Sequence, residues 1–187
     1  MLLSLMIARG AVAETFTVPS SSMTPTLQPG DRIVVWKLGA DHVRRGQVVV
    51  FNASDAFALG SSSTGLAGRF RQGAHFVGVR VGETDYVKRI VAIGGDTVVI
   101  GADGILRVNG STVREPYLRG RPPAEGPPLQ AKVPPGAVFV LGDNRANSQD
   151  SRAHLGSPGG GMVPVDDIIG RVTLRYWPLD SWGTLSG

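Results

Sequence analysis

The stretch "DYVKRIVAI", Asp85–Ile93, decides how the chain is read. Its β-branched and aromatic residues run without a glycine or proline, and Gly94-Gly95-Asp96 closes it, which is the pattern of a strand. Alternation along a strand places Lys88 on the face opposite Val87 and Arg89. If that face is interior, the ammonium loses its water and its pKa falls; if it is exterior, Lys88 is an ordinary surface lysine, and the pattern alone leaves both open. A lysine that is to act as a base near neutral pH has to come down from roughly 10.4 by about 3 units, which costs about 4 kcal/mol.

Working outward, the same vocabulary recurs. "RIVVWKL" (residues 32–38) and "QVVVF" (residues 47–51) read as two strands joined by the polar "GADHVRRG". "TVVIGADGILRVNGSTV" (residues 97–113) carries two tight-turn signals, Asp103-Gly104 and Asn109-Gly110, and reads as a small β-meander. "LRGRPPAEGPPLQAKVPPG" is too proline-rich for sheet or helix and is expected to be extended loop. "AVFVLGD" enters another strand, a polar run follows, and "DDIIGRVTLRYWPL" is a closing strand. Residues 52–80, rich in Gly, Ser and Ala without a period, are expected to form a variable surface excursion. No internal repeat or long amphipathic helix is visible.

The expected fold is therefore mostly β, antiparallel sheets with a small inserted β/loop region at 97–133. At 187 residues and 42% hydrophobic the chain holds one main domain, placed at 16–187. With no cysteine, disulfides and thiolate metal sites are excluded. The net charge of +4 is scattered, and only "RFRQGAHFVGVR" mixes bases with aromatics, so no nucleic-acid partner is expected. At the start, "MLLSLMIA" is apolar, but Arg9 breaks it well short of the ~20 residues of a membrane-spanning helix. "AVA" at Ala11–Ala13 could mark a leader cleavage site, yet no basic segment precedes the apolar run. Residues 1–15 are accordingly expected to be the remnant of a membrane anchor or a disordered N-terminus.

Candidate chemistry centres on "VPSSSMTPTLQPGD", Val18–Asp31, where three serines stand on a proline-bounded turn. A serine is a useful nucleophile only when a base takes its proton. His42 and His75 lie in loop-like segments, His154 has polar neighbours but no distinguishing pattern, and Lys88 is the more interesting base. In "GDNRANSQDSR", Gly142–Arg152, the residues Asp143, Arg145, Asp150 and Arg152 can cross-bridge one another. Taken singly, each of these segments also reads as a plain polar turn or loop.

In combination and in this order, "FTVPSSSMTPTLQPGD", "VVVF", "DYVKRIVAIGGD", "GDNRANSQDSR" and "VPVDDIIGRV" resemble the type I signal peptidases, membrane-bound serine endopeptidases with a Ser/Lys dyad. The likeness covers Phe16–Trp177. It implies Ser22 as nucleophile and Lys88 as its base, with Ser20 supplying an oxyanion donor and Ser148 hydrogen-bonding the lysine. It implies that Asp143, Arg145, Asp150 and Arg152 support the site. Phe16, Val18, Met23, Tyr86 and Val87 match positions that line substrate pockets for small residues, the Ala-X-Ala pattern at the end of a signal peptide. No metal or organic cofactor is implied. The partners implied are signal peptides of secretory pre-proteins and the membrane surface, with the catalytic domain monomeric and on the extracytoplasmic side of the cell membrane; Trp36, Trp177 and Trp182 are candidates for seating it on lipid, or equally for core packing.

Three positions depart from the family pattern: Ser21 where glycine is frequent, Ala146 where an acid is usual, and Gln47 in place of the acid before "VVVF". Three other readings stay open at this level. One is a specialised pre-protein processing peptidase of the same superfamily, of pilin or conjugation type. The second is a non-catalytic β-rich binding module. The third, a self-cleaving Ser/Lys regulator that binds DNA, requires a helix-turn-helix ahead of the peptidase part, and residues 1–15 are too short for one.

Overall fold

A computed structural model describes residues 12–53, 57, 85–120 and 126–185. Twelve strands are present among them: β1 (Ala13–Thr17), β2 (Arg32–Trp36), β3 (Val48–Asn52), β4 (Asp85–Ile93), β5 (Thr97–Ile100), β6 (Leu106–Val108), β7 (Ser111–Thr112), β8 (Leu129–Lys132), β9 (Ala137–Leu141), β10 (Val163–Pro164), β11 (Ile168–Trp177) and β12 (Gly183–Thr184). The larger sheet runs β1-β2-β11-β3-β4-β9-β10, with β12 added to β11, and the smaller runs β7-β6-β5-β8. Every pairing is antiparallel. The fold is mostly β, as the sequence predicts.

Strand alternation sorts the side chains into three cores. Val48 and Val50 of β3 face a cluster with Phe16, Val18, Met23, Leu27, Ile33 and Val87. Val49 and Phe51 face the opposite side, against Ile90, Val138, Val140 and Ile168. Between the two sheets, Val91, Ala92, Phe139 and Leu141 meet Val98, Ile100, Leu106 and Val108. β4 is thus buried on both faces from Val87 to Ala92, so Lys88 and its neighbour Arg89 are both interior, at 3% and 4% exposure. A strand covered on both sides leaves no exterior face for the lysine to take.

The expected meander is β5–β7. Its second turn has positive φ at Asn109 and Gly110 in succession, the twist-matched two-residue turn that "NG" signals. The reading of the proline-rich stretch as wholly loop is corrected: Leu129–Lys132 forms β8 and pairs with β5. Because β8 lies at a sheet edge, the prolines flanking it remove no donor that a further strand needs. The expected excursion at 52–80 lies outside the described residues apart from Asn52, Ala53 and Phe57; the anchor or disordered reading of residues 1–15 lies outside them up to residue 11 and is corrected at Ala13, Glu14 and Thr15, which pair with β2 as part of β1. Among the described residues, no helix is long and apolar enough to cross a membrane.

Candidate active site

The turn that carries the three serines is built from its ends. Val18 N–H donates to Asp31 O at 2.8 Å and Gly30 N–H returns to Val18 O at 2.9 Å, closing the loop 18–31 at its base. Met23 and Leu27, both fully buried, fasten its middle to the core. Removing such a side chain from water is worth roughly 1.5–3 kcal/mol, which sets the register of the neighbouring serine. Between these anchors Ser21–Met23 makes a single 3₁₀ turn. Its carbonyls are held from across the molecule: Asn144 N–H donates to Ser22 O at 2.9 Å, and Asn144 Nδ2 to Ser21 O at 3.1 Å.

Lys88 reaches this turn from β4. Its Nζ lies 2.8 Å from Ser22 Oγ and donates to Val87 O at 3.1 Å, with the Tyr86 ring centroid 4.9 Å away. Burial pulls the lysine pKa down to about 8, against the opposing pull of Asp150 and then Asp143, whose negative charges favour the ammonium. Near that pH a substantial fraction of the amine is neutral and has a lone pair for the Ser22 hydroxyl proton. Ser20 Oγ donates to Ser22 Oγ at 3.2 Å, so the two outer serines of "SSS" converge on one side of the turn.

Three ion pairs surround this centre. Arg89 binds Asp143 with two N–H···O contacts of 2.9 and 2.7 Å and also donates to Gly46 O. Thr26 Oγ1 donates to the same Asp143 carboxylate. Asp150 accepts from Gly142 N–H at 3.0 Å and from Arg152. Arg145 donates to Gly142 O at 3.0 Å and pairs with Glu115. The expected cross-bridging among Asp143, Arg145, Asp150 and Arg152 is therefore right only for Asp150–Arg152. Asp143 leaves the end of β9 beside β4, where Leu141 is paired with Arg89, and Arg145 turns toward the small sheet and Glu115.

The expected hydrogen bond from Ser148 to the lysine is not made. Ser148 Oγ is buried without a hydrogen-bond partner among the described residues. It packs against Gly142 so closely that a Cβ there would stand 2.1 Å from it and 2.5 Å from Ser22 O. The lysine's contacts go instead to Ser22 Oγ and Val87 O.

An open groove of about 270 Å³ passes over the pair. Its walls are Val18–Met23 on one side and Asp85–Lys88 on the other, with Asn147 and Gln149 at the rim. Val18, Met23, Tyr86 and Val87 thus lie where the sequence placed them. Phe16 does not: inward alternation of β1 puts it in the core with Ile33 and Val35, outside the groove wall. Sequence reasoning missed Asp85, Asn147 and Gln149, although each adjoins a motif residue. It also missed Glu115, for which no local signal exists. His42 is exposed beside Asp41, and His154 stacks on Phe57 at 3.9 Å. Among the described residues no group of acids or histidines is arranged to hold a metal ion.

A serine within hydrogen-bond distance of a buried lysine, in a β scaffold and under an open groove, is an arrangement in which a hydroxyl could be activated by a neighbouring amine. The comparisons specify the family. Residues 1–177 match the model of signal peptidase, peptidase S26. A signal peptidase I from Mycobacterium tuberculosis is 38% identical over 200 residues, covering 93% of this chain and 68% of that one. One from Bacillus caldolyticus is 35% identical over 181 residues, covering 89% and 81%. A crystal structure of a signal peptidase I from Enterococcus faecalis matches 70% of this chain and 97% of its own at 22% identity, with a TM-score of 0.46. The chain belongs to the signal peptidase family, peptidase S26.

Proposed function

We propose that this chain is a serine endopeptidase that removes N-terminal signal peptides from exported pre-proteins after small residues, with Ser22 as nucleophile and Lys88 as general base. The observation that carries the reading is the 2.8 Å approach of Lys88 Nζ to Ser22 Oγ inside a buried strand. Neutral Lys88 takes the hydroxyl proton as Ser22 Oγ bonds to the scissile carbonyl carbon. The tetrahedral oxyanion is met by the Ser22 N–H and the Ser20 hydroxyl, donors whose preorganisation is worth about 3–4 kcal/mol. The C–N bond breaks, Lys88 passes the proton to the leaving amine, and an acyl ester remains on Ser22. Water then attacks the ester; Lys88 accepts the water proton and returns it to Ser22 Oγ.

The substrate lies extended between the Val18–Ser20 and Asp85–Val87 segments, adding main-chain hydrogen bonds as a further strand, while small side chains face the shallow floor at Val18, Met23, Tyr86 and Val87. Selectivity for Ala-X-Ala follows from that shallow floor. Residues 16–187 form the catalytic domain, with 97–133 as its inserted part. It works on the extracytoplasmic side of the membrane as a monomer, resting on lipid through the exposed Trp177, Leu179 and Trp182, at 48%, 67% and 61% exposure.

The test is cleavage of a pre-protein carrying an Ala-X-Ala site by the purified chain in detergent. Ser22→Ala and Lys88→Met are each expected to lose at least ~10³-fold in kcat with the fold intact. Unchanged cleavage by either variant contradicts the dyad.

A further inference from the structure

The small sheet reaches into the catalytic centre through one loop. After β7 the chain runs through Val113 and Arg114 to a short 3₁₀ turn, Pro116–Leu118, and this places Glu115 and Tyr117 on the two arginines beside the site. The Glu115 carboxylate accepts from both terminal nitrogens of Arg145, and their side chains are 10% and 2% exposed. The Tyr117 hydroxyl donates to the same carboxylate at 2.7 Å, and its ring covers the Arg89 guanidinium, 4.0 Å from ring centroid to Cζ.

Those two arginines have a common target. Arg145 Nε donates to Gly142 O, and Arg89 grips Asp143. The next residue, Asn144, donates to both Ser21 O and Ser22 O, the former also accepting from Thr24. Glu115 and Tyr117 are therefore the outermost members of a hydrogen-bonded chain that ends on the nucleophile turn. Neither is among the residues that line the groove. Both lie in the loop that follows β7, and the small sheet it leaves contributes no member of the Ser/Lys pair.

We infer that Glu115 and Tyr117 are positioning residues for the peptidase reaction: through Arg145 and Arg89 they fix segment 142–144, and through it the distance between Ser22 Oγ and Lys88 Nζ. This rests on the Ser22/Lys88 reading of the site. A buried arginine that loses its carboxylate seeks another acceptor, and Asp143 is the other carboxylate whose charge acts on Arg145, so the geometry of Asn144 changes with it. A displacement of the nucleophile by even 1 Å lowers the rate by roughly 10²-fold, while the groove that binds peptide is left as it was.

The experiment is steady-state cleavage of an Ala-X-Ala peptide by the full chain, by Glu115→Gln and by the isosteric Tyr117→Phe, at a temperature well below each protein's unfolding transition. Glu115→Gln is expected to lower kcat at least ~10-fold with KM within about 3-fold, and Tyr117→Phe to lower kcat by a smaller factor with the same unchanged KM. Glu115→Asp, which keeps the charge, is expected to recover part of the loss. A variant pair with full kcat but a lower melting temperature shows that the two residues only stabilise the small sheet, and overturns the inference. So does a loss in KM alone. If Glu115→Gln does not fold, Tyr117→Phe decides by the same criteria, since it keeps the ring and its volume. Ser22→Ala runs alongside: cleavage by that variant, or none by the parent chain, refutes the Ser/Lys reading and this inference with it, whereas an active parent, an inactive Ser22→Ala and parental Glu115→Gln and Tyr117→Phe refute the inference alone.

Discussion

Lys88 is held where its charged form is disfavoured, and that has a thermodynamic signature separate from catalysis. Its folded-state pKa of about 8 lies below the ordinary value of 10.5. Between those two values the unfolded chain keeps a proton that the folded chain has released, so stability rises as pH increases across this window. Below the window the folded protein carries the full penalty, about 3 kcal/mol. Lys88→Met keeps the stem's packing and removes the charge. It is expected to be more stable than the parent at pH 7 by an amount of that order, with the gap closing toward pH 10.5; chemical denaturation at the two pH values checks it, and a gap independent of pH contradicts it. The residues alone left three serines and both faces of the lysine's strand open, and only the family likeness named Ser22 and Lys88, which the fold brings within hydrogen-bond distance. The hydrogen bond expected of Ser148 and the groove position expected of Phe16 are not found, because a motif fixes where a residue falls in the chain and not which way its side chain turns.

At the scale of elements, the segment after β9 does more than carry supporting ion pairs. Gly142 is the point where three pieces of chain touch: its N–H goes to Asp150, its O to Arg145, and its Cα faces Ser148 Oγ and the Ser22 carbonyl. A methyl group there meets the Ser22 carbonyl at 2.5 Å, and a backbone oxygen held by Asn144 has nowhere to withdraw. Gly142→Ala is expected to fold, to bind peptide, and to lose at least ~10-fold in kcat, because the nucleophile turn shifts as a unit. Steady-state kinetics beside a melting curve checks this, and parental kcat contradicts it. The longer strands were readable from apolar runs and turn signals, as was the meander, whereas the start of β1 and the two-residue β10 and β12 were not, since such short pairings are set by their partners. β8 was hidden among prolines, since its pairing with β5 is decided by partners 29 to 35 residues away rather than by its own composition. Glu115 was hidden for the same reason: nothing in "REPYL" announces an arginine 30 residues further on.

The molecule as a whole makes the site, because its parts come from both ends and the middle of the chain. The strand order β1-β2-β11-β3-β4-β9-β10 brings the serine turn that follows β1, the lysine of β4 and the loop after β9 to one place. The smaller sheet closes over the far side of β4 and β9 and completes their burial. The basicity of Lys88 is thus a property of the assembled fold, set chiefly by how thoroughly the two sheets and the nucleophile turn exclude water from one strand. The most direct test is the pH dependence of kcat/KM for cleavage of an Ala-X-Ala peptide between pH 6 and 10. The expected profile climbs about tenfold per pH unit on its acid side and levels off above a midpoint near 8, as neutral Lys88 becomes the major form. A profile already flat through pH 7 to 9, or one whose limb lies near 6.5 where a histidine titrates, contradicts a lysine base.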